Sequence, residues 1–105
     1  MTKIYGIDLE QKVTPLMVRN ALVGCFFKAH CEDTGVDQNE SDVNEGYCKT
    51  IVTKMFDEVN GDFENPTKED ILSVMGKLAE FSKNFRNPDI IKKHAEEMGK
   101  LIEKM

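Results

Sequence analysis

The chain has 105 residues, of which 40% are hydrophobic and 31% charged, a composition typical of one folded domain and not of a disordered chain. Its net charge of −5 argues against a nucleic-acid partner, because an acidic surface repels phosphate. The longest apolar run is far shorter than the ~18 residues of a membrane-spanning helix, and the polar start is unlike a secretory signal. We therefore expect a soluble, cytoplasmic protein whose three cysteines are reduced.

The negative charge is concentrated in the middle of the chain. Residues 32–70 hold twelve acids against three bases, whereas residues 1–31 and 71–105 are each slightly basic. Such a stretch can attract a cation or a basic protein surface. More often it forms solvated loops and helix faces.

The first helix is predicted at about 15–31. Thr14 can cap it, and Pro15 suits its first turn, where a missing N–H costs nothing. Apolar residues then recur at three- and four-residue steps, which gives the helix a buried face. Gly24 in its middle favours a close helix–helix contact, and Gly35 is expected to mark the end of the loop that follows.

The second helix is predicted at about 40–59, with Asn39 or Ser41 as its cap. Its stop is the pair Asn60-Gly61, because both residues tolerate the left-handed backbone conformation.

Two further helices are predicted at about 68–84 and 88–104. Thr67 and Asp70 have the spacing of a capping box at the start of the third helix. The Asn-Pro pair at 87–88 provides a cap and a first-turn proline for the fourth.

Short loops between sequential helices favour antiparallel neighbours, so the sequence predicts an all-α, up-down four-helix bundle. We expect one helical domain over 1–105, with a short extended N-terminal arm at 1–12 and the bundle at 13–105. The arm is expected to pack on the bundle or on a second subunit. The predicted core is Val18, Leu22, Cys25, Ile51, Met55, Met75, Leu78, Met98 and Leu101.

Cysteine and histidine side chains are the first candidate metal ligands. Cys25 and Cys31 are six residues apart on one helix, about 9 Å along its axis, so they cannot share an ion. A transition-metal site would therefore have to use Cys48 or His94 together with a group from the first helix. The competing interpretation makes Cys48 a small core residue and His94 a partly buried histidine that neighbours satisfy.

The acidic loop between the second and third helices is the second candidate metal site. Its segment 58–69, EVNGDFENPTKE, resembles an EF-hand calcium loop in the positions of its oxygen-bearing residues. The resemblance implies calcium ligands at Glu58, Asn60, Asp62, Glu64 and Glu69. The segment departs from that pattern at Phe63, where EF-hands need glycine, and it can equally be a plain interhelix loop.

Excess apolar surface is the sign of a protein partner. Adjacent Phe26 and Phe27 point ~100° apart on a helix, so both cannot face one core, and Ile4 and Tyr5 in the arm also need covering. These four residues are the predicted interface, most simply with a second copy in a homodimer. No motif indicates a catalytic residue or a cofactor. The sequence thus favours an interaction module without enzymatic activity, with a metal-binding module as the alternative.

Overall fold

The computed structural model describes residues 3–37 and 42–105, without the side chains of residues 42–45. Four α-helices account for most of this part of the chain, and the predicted all-α four-helix architecture is confirmed. The helices are α1 (Pro15–Thr34), α2 (Asp42–Glu58), α3 (Lys68–Phe81) and α4 (Asp89–Ile102). None of the helices in these ranges is both long and apolar enough to span a membrane.

The first helix lies at the centre of the bundle, where α1 contacts α2, α3 and α4. Its buried side chains include the adjacent pairs Ala21-Leu22 and Cys25-Phe26, so its buried arc is wider than a single narrow stripe. Most of the predicted core is buried, but Ile51 and Met75 are only half-buried and pack against its edge. The buried members of the predicted list are Val18, Leu22, Cys25, Met55, Leu78, Met98 and Leu101.

Helix α1 begins as predicted but ends later. The Thr14 hydroxyl accepts the Met17 N–H at 3.3 Å, and Pro15 follows in the first turn. The helix then continues three residues past the expected end. Gly35 is its C-cap and not the end of a loop: it adopts φ +76° and donates its N–H to the Cys31 carbonyl.

Gly24 does not make the predicted close helix–helix contact. A Cβ added there would meet no described atom within 4 Å. The missing side chain instead leaves open space on the surface of α1.

The junction between α2 and α3 follows the sequence closely. Asn60 adopts φ +58°, the left-handed conformation expected of a helix stop. The capping box of α3 is complete, since Thr67 accepts from the Asp70 N–H and Asp70 accepts from the Thr67 N–H. The predicted caps of α2, Asn39 and Ser41, lie outside the described residues.

Between α3 and α4 the chain forms a 3₁₀ turn, Ser82–Asn84, where an α-helix was predicted. Helix α4 starts one residue later than expected, although the Asn87 side chain still accepts the Asp89 N–H at 3.1 Å. Asp33 at the end of α1 holds this connection: its carboxylate accepts the backbone N–H groups of Arg86 and Asn87 at 3.0 and 2.9 Å.

The N-terminal arm is a small hairpin that packs on the bundle. Strands β1 (Lys3–Ile4) and β2 (Ile7–Asp8) pair antiparallel, with Ile4 opposite Ile7. Tyr5 and Gly6 turn the chain with φ +50° and +81°, the signs of a type I′ turn. Ile4 and Ile7 are buried in the common core, so the arm covers the bundle of its own chain.

Replacing Gly35 by alanine should destabilise the protein by about 1 kcal/mol, because an L-residue is strained in the left-handed conformation. Gly76→Ala is the matched control: Gly76 lies in the exposed interior of α3, and a Cβ there meets nothing within 4 Å. It should stabilise by about 0.5–1 kcal/mol. Urea unfolding of the two variants measures the change in the free energy of unfolding for each. Changes of the same sign and size would contradict the assignment of Gly35 as the C-cap.

Candidate functional site

His94 is the centre of a polar cluster where the hairpin meets α1 and α4. The Tyr5 hydroxyl lies 2.6 Å from His94 Nδ1, and Glu32 Oε1 lies 3.1 Å from Nε2. Lys93 also contacts Glu32, with 3.3 Å between Nζ and Oε2. The His94 side chain is buried, so both ring nitrogens depend on these neighbours for hydrogen bonds.

The carboxylate of Glu32 places a proton on one ring nitrogen of His94. Partial burial alone would raise the pKa of Glu32, but the hydrogen bonds from His94 and Lys93 outweigh it and lower that pKa. An ionised carboxylate can only accept, so Nε2–H donates to Glu32. With that proton on Nε2, Nδ1 can accept from the Tyr5 hydroxyl, which also lies 3.5 Å from the His94 carbonyl oxygen.

The cluster extends inward to a buried thiol. Burial is the main cause that raises the pKa of the Tyr5 phenol, and the neighbouring Cys25 raises it further. Burial raises the pKa of Cys25 to about 11, although a hydrogen bond with Tyr5 and the charge of Lys28 act in the opposite direction. Both groups are therefore protonated at neutral pH and are weak nucleophiles. What this arrangement can do is hold the hairpin on α1 and α4.

The transition-metal ligands considered from sequence are not brought into a site. Among the side chains of residues 3–37 and 46–105, no three from His, Cys, Asp or Glu converge closely enough to hold a metal ion. Cys48 is buried on α2, and the two ring nitrogens of His94 form hydrogen bonds with Tyr5 and Glu32.

Two carboxylates of the proposed calcium site, Asp62 and Glu58, contact the protein itself. Asp62 Oδ1 accepts the backbone N–H groups of Glu64 and Asn65 at 3.0 and 3.2 Å. Glu58 forms an ion pair with Lys77 at 3.4 Å. The five oxygen-bearing residues of the EF-hand resemblance, Glu58, Asn60, Asp62, Glu64 and Glu69, are all on or beside this loop, which holds itself together as an interhelix turn.

The predicted interface residues divide into two groups. Ile4 and Phe26 are buried within the single chain, because the hairpin folds back and α1 is central. They therefore offer no surface to a partner. Tyr5 and Phe27 are half-buried, and Phe27 lines a concave surface.

That concave surface, the α1–α2 groove, has a volume of about 310 Å³. Phe27, Val23 and Gly24 of α1 line it together with Phe63 of the α2–α3 loop. Its depth follows from Gly24, whose missing side chain leaves the space open. Phe63 is anchored underneath by Phe56, with ring centroids 5.6 Å apart and the rings perpendicular.

Two cations, Arg19 and Lys49, complete the groove. The Arg19 guanidinium lies 4.3 Å from the Phe63 ring centroid and donates to the Phe63 carbonyl at 2.7 Å. Among the described residues, no carboxylate lies within 4.0 Å of either cation, and no acidic residue lines the groove. Arg19, Lys49 and Phe63 were not predicted from the sequence as part of a binding surface. The one sequence feature that could have indicated it is Phe63, an aromatic residue within an acidic loop.

Comparison with known proteins finds no protein similar to this chain. No family model, no curated protein and no solved structure matches this chain. What the protein does must therefore be inferred from its own residues.

Tyr5→Phe should destabilise the protein by about 1–3 kcal/mol, because it leaves the buried Nδ1 of His94 without its donor. Tyr47→Phe is the control. Because Tyr47 is 46% exposed, removing its hydroxyl should lower the free energy of unfolding by less than ~0.5 kcal/mol. Chemical denaturation of both variants gives the two values. Equal small losses would show that the Tyr5–His94 bond does not hold the hairpin.

Millimolar calcium should leave the melting temperature unchanged. The Asp62 carboxylate already accepts hydrogen bonds from backbone N–H groups, and Glu58 already forms an ion pair with Lys77. Thermal unfolding with calcium, with magnesium and with a chelator is the measurement. A saturable rise that is specific to calcium and lost in Asp62→Asn would instead establish the EF-hand-like site.

Proposed function

We propose that the protein is an interaction module without catalytic activity, which binds a second copy of itself through the α1–α2 groove. The observation that supports this proposal best is the groove itself, which combines aromatic and aliphatic side chains with two cations that no described carboxylate neutralises. Half-buried aromatic rings beside arginine are the residue types that dominate binding energy in protein interfaces.

Charge complementarity favours an acidic partner surface, and the chain itself provides one. Two copies that each carry a net charge of −5 repel one another except where a positive patch meets an acidic one. The groove is such a positive patch, whereas residues 32–70 hold twelve acids against three bases.

The start of α3 in the second copy is the segment we assign to the groove. Leu72 is 50% exposed, the most exposed large apolar side chain among the described residues, and Glu69 precedes it by one helical turn. An apolar side chain can fill the space above Gly24 while a carboxylate approaches Lys49. Each copy carries both surfaces, so a symmetric dimer can use the contact twice.

The polar cluster around His94 supports a role without catalysis. Its phenol and thiol are protonated at neutral pH, and His94 is occupied on both nitrogens. We further propose a cytoplasmic location, which the three buried cysteines support, since a reducing compartment keeps thiols of this kind reduced.

Sedimentation equilibrium at increasing protein concentration tests self-association. We expect a monomer–dimer equilibrium that Lys49→Glu weakens by about tenfold or more, because the substitution places a like charge against Glu69. Lys54→Glu makes the same charge change at an exposed position of α2 outside the groove, and it should leave the equilibrium unchanged.

Leu72→Ser tests the other half of the contact. It should weaken the dimer as Lys49→Glu does, while Val36→Ser, at an apolar side chain that is 38% exposed, should not. A strictly monomeric mass at ~100 μM would reject self-association. A dimer that neither Lys49→Glu nor Leu72→Ser weakens would reject the groove as its interface.

A further inference from the structure

A second concave surface lies away from the α1–α2 groove and shares no lining residue with it. This cavity, of about 190 Å³, is lined by four aromatic rings, which come from α1, α2, α3 and the segment after the 3₁₀ turn. We call it the ring cavity, and its aromatic residues are His30, Tyr47, Phe81 and Phe85.

The rings form two pairs. The His30 and Tyr47 centroids are 5.6 Å apart with the planes tilted by 46°. The Phe81 and Phe85 centroids are 6.2 Å apart and nearly perpendicular. Phe85 is buried and Tyr47 is 46% exposed, so the lining runs from the core out to solvent. No described Lys or Arg lies over any of these four rings, although Arg19 and Lys28 do so on Phe63 and Tyr5.

A carboxylate lines the same cavity. Asp33 accepts the backbone N–H groups of Arg86 and Asn87, one on each oxygen, and these bonds fix its position without neutralising its charge. Among the described residues, no basic side chain lies within 4.0 Å of it. Arg86 also lines the cavity, and its charge acts against any cationic ligand.

Aromatic walls beside a carboxylate that forms no ion pair are suited to an alkylated ammonium group. Such a cation cannot satisfy many hydrogen-bond acceptors, but ring quadrupoles and a nearby negative charge attract it. We propose that the ring cavity binds an alkylated ammonium group, of the kind carried by choline or by a trimethylated lysine side chain. This site is independent of the self-association proposed above, because the two surfaces have no residue in common.

NMR titration can test the proposal with controls inside the chain. The protein has two tyrosines and two histidines, so Tyr47 and His30 report on the cavity, while Tyr5 and His94, which do not line it, report on the separate hydrogen-bonded cluster. Tetramethylammonium should shift the ring resonances of Tyr47 and His30 saturably and leave Tyr5 and His94 unmoved. The uncharged isostere 3,3-dimethylbutan-1-ol should bind at least about tenfold more weakly, since it lacks the cation.

Two substitutions should move the affinity in opposite directions. Tyr47→Leu removes an exposed ring and should weaken tetramethylammonium binding, whereas Arg86→Gln removes the opposing charge and should strengthen it. Lys83→Gln, at an exposed position of the 3₁₀ turn outside the cavity, is the charge control and should leave the affinity unchanged.

Two further probes, free choline and a trimethyllysine peptide, distinguish a small-molecule ligand from a modified protein. The probe that binds more tightly indicates which of the two carries the ammonium group. Equal affinity for the cation and its uncharged isostere would overturn the proposal, because the cavity would then be only hydrophobic. Absence of a saturable shift up to ~100 mM tetramethylammonium would also overturn it. A strengthening in Arg86→Gln cannot come from a merely structural role, since loss of folding would weaken binding.

Discussion

The structure depends on the need to cover a wide apolar arc of α1. Adjacent residues of a helix point ~100° apart, yet both members of Ala21-Leu22 and of Cys25-Phe26 are buried. A helix that is apolar over so wide an arc is stable only at the centre of a domain. Helices α2, α3 and α4 surround it, and each of them then needs only one apolar stripe of its own.

The hairpin completes this covering at the junction of α1 and α4. Ile4 and Ile7 enter the common core, while Tyr5 turns its hydroxyl towards His94. Tyr5 adopts a positive φ, which costs a non-glycine residue roughly 1 kcal/mol or more. The burial of the two isoleucines and the hydrogen bond to His94 offset that strain, so the small two-stranded hairpin is stable although it would not fold alone.

Local signals predicted the parts of the fold that local interactions determine. Thr14, Thr67 and Asn60 act within a few residues of themselves, and the structure places all three as the sequence indicates. The end of α1 is also set locally, by Gly35, but the sequence analysis placed that glycine at the end of the following loop. What local signals could not predict is the contact of Asp33 with Arg86 and Asn87, which are 53 and 54 residues away. No periodicity or capping motif reports a contact of that range.

The same difference in range explains why the candidate sites were only partly predicted. Phe27 could be selected because its neighbour Phe26 competes for the core. The groove around Phe27, however, depends on Arg19 and Phe63, which are 44 residues apart and meet only in the folded chain. His94 was recognised as a histidine on an apolar face, but its partners Tyr5 and Glu32 lie 89 and 62 residues away.

The two cations of the groove have different physical roles. Arg19 donates to the Phe63 carbonyl and, through Nε and Nη2, to the Asn20 side chain, so its guanidinium is held as a rigid wall. Lys49 is exposed and has no such contact among the described residues, so nothing described there restrains its side chain. A rigid cation adds shape at little entropic cost, whereas a mobile one must be ordered by the partner. We therefore expect Arg19 and Phe63 to set the form of the groove, and Lys49 to select the charge of whatever enters it.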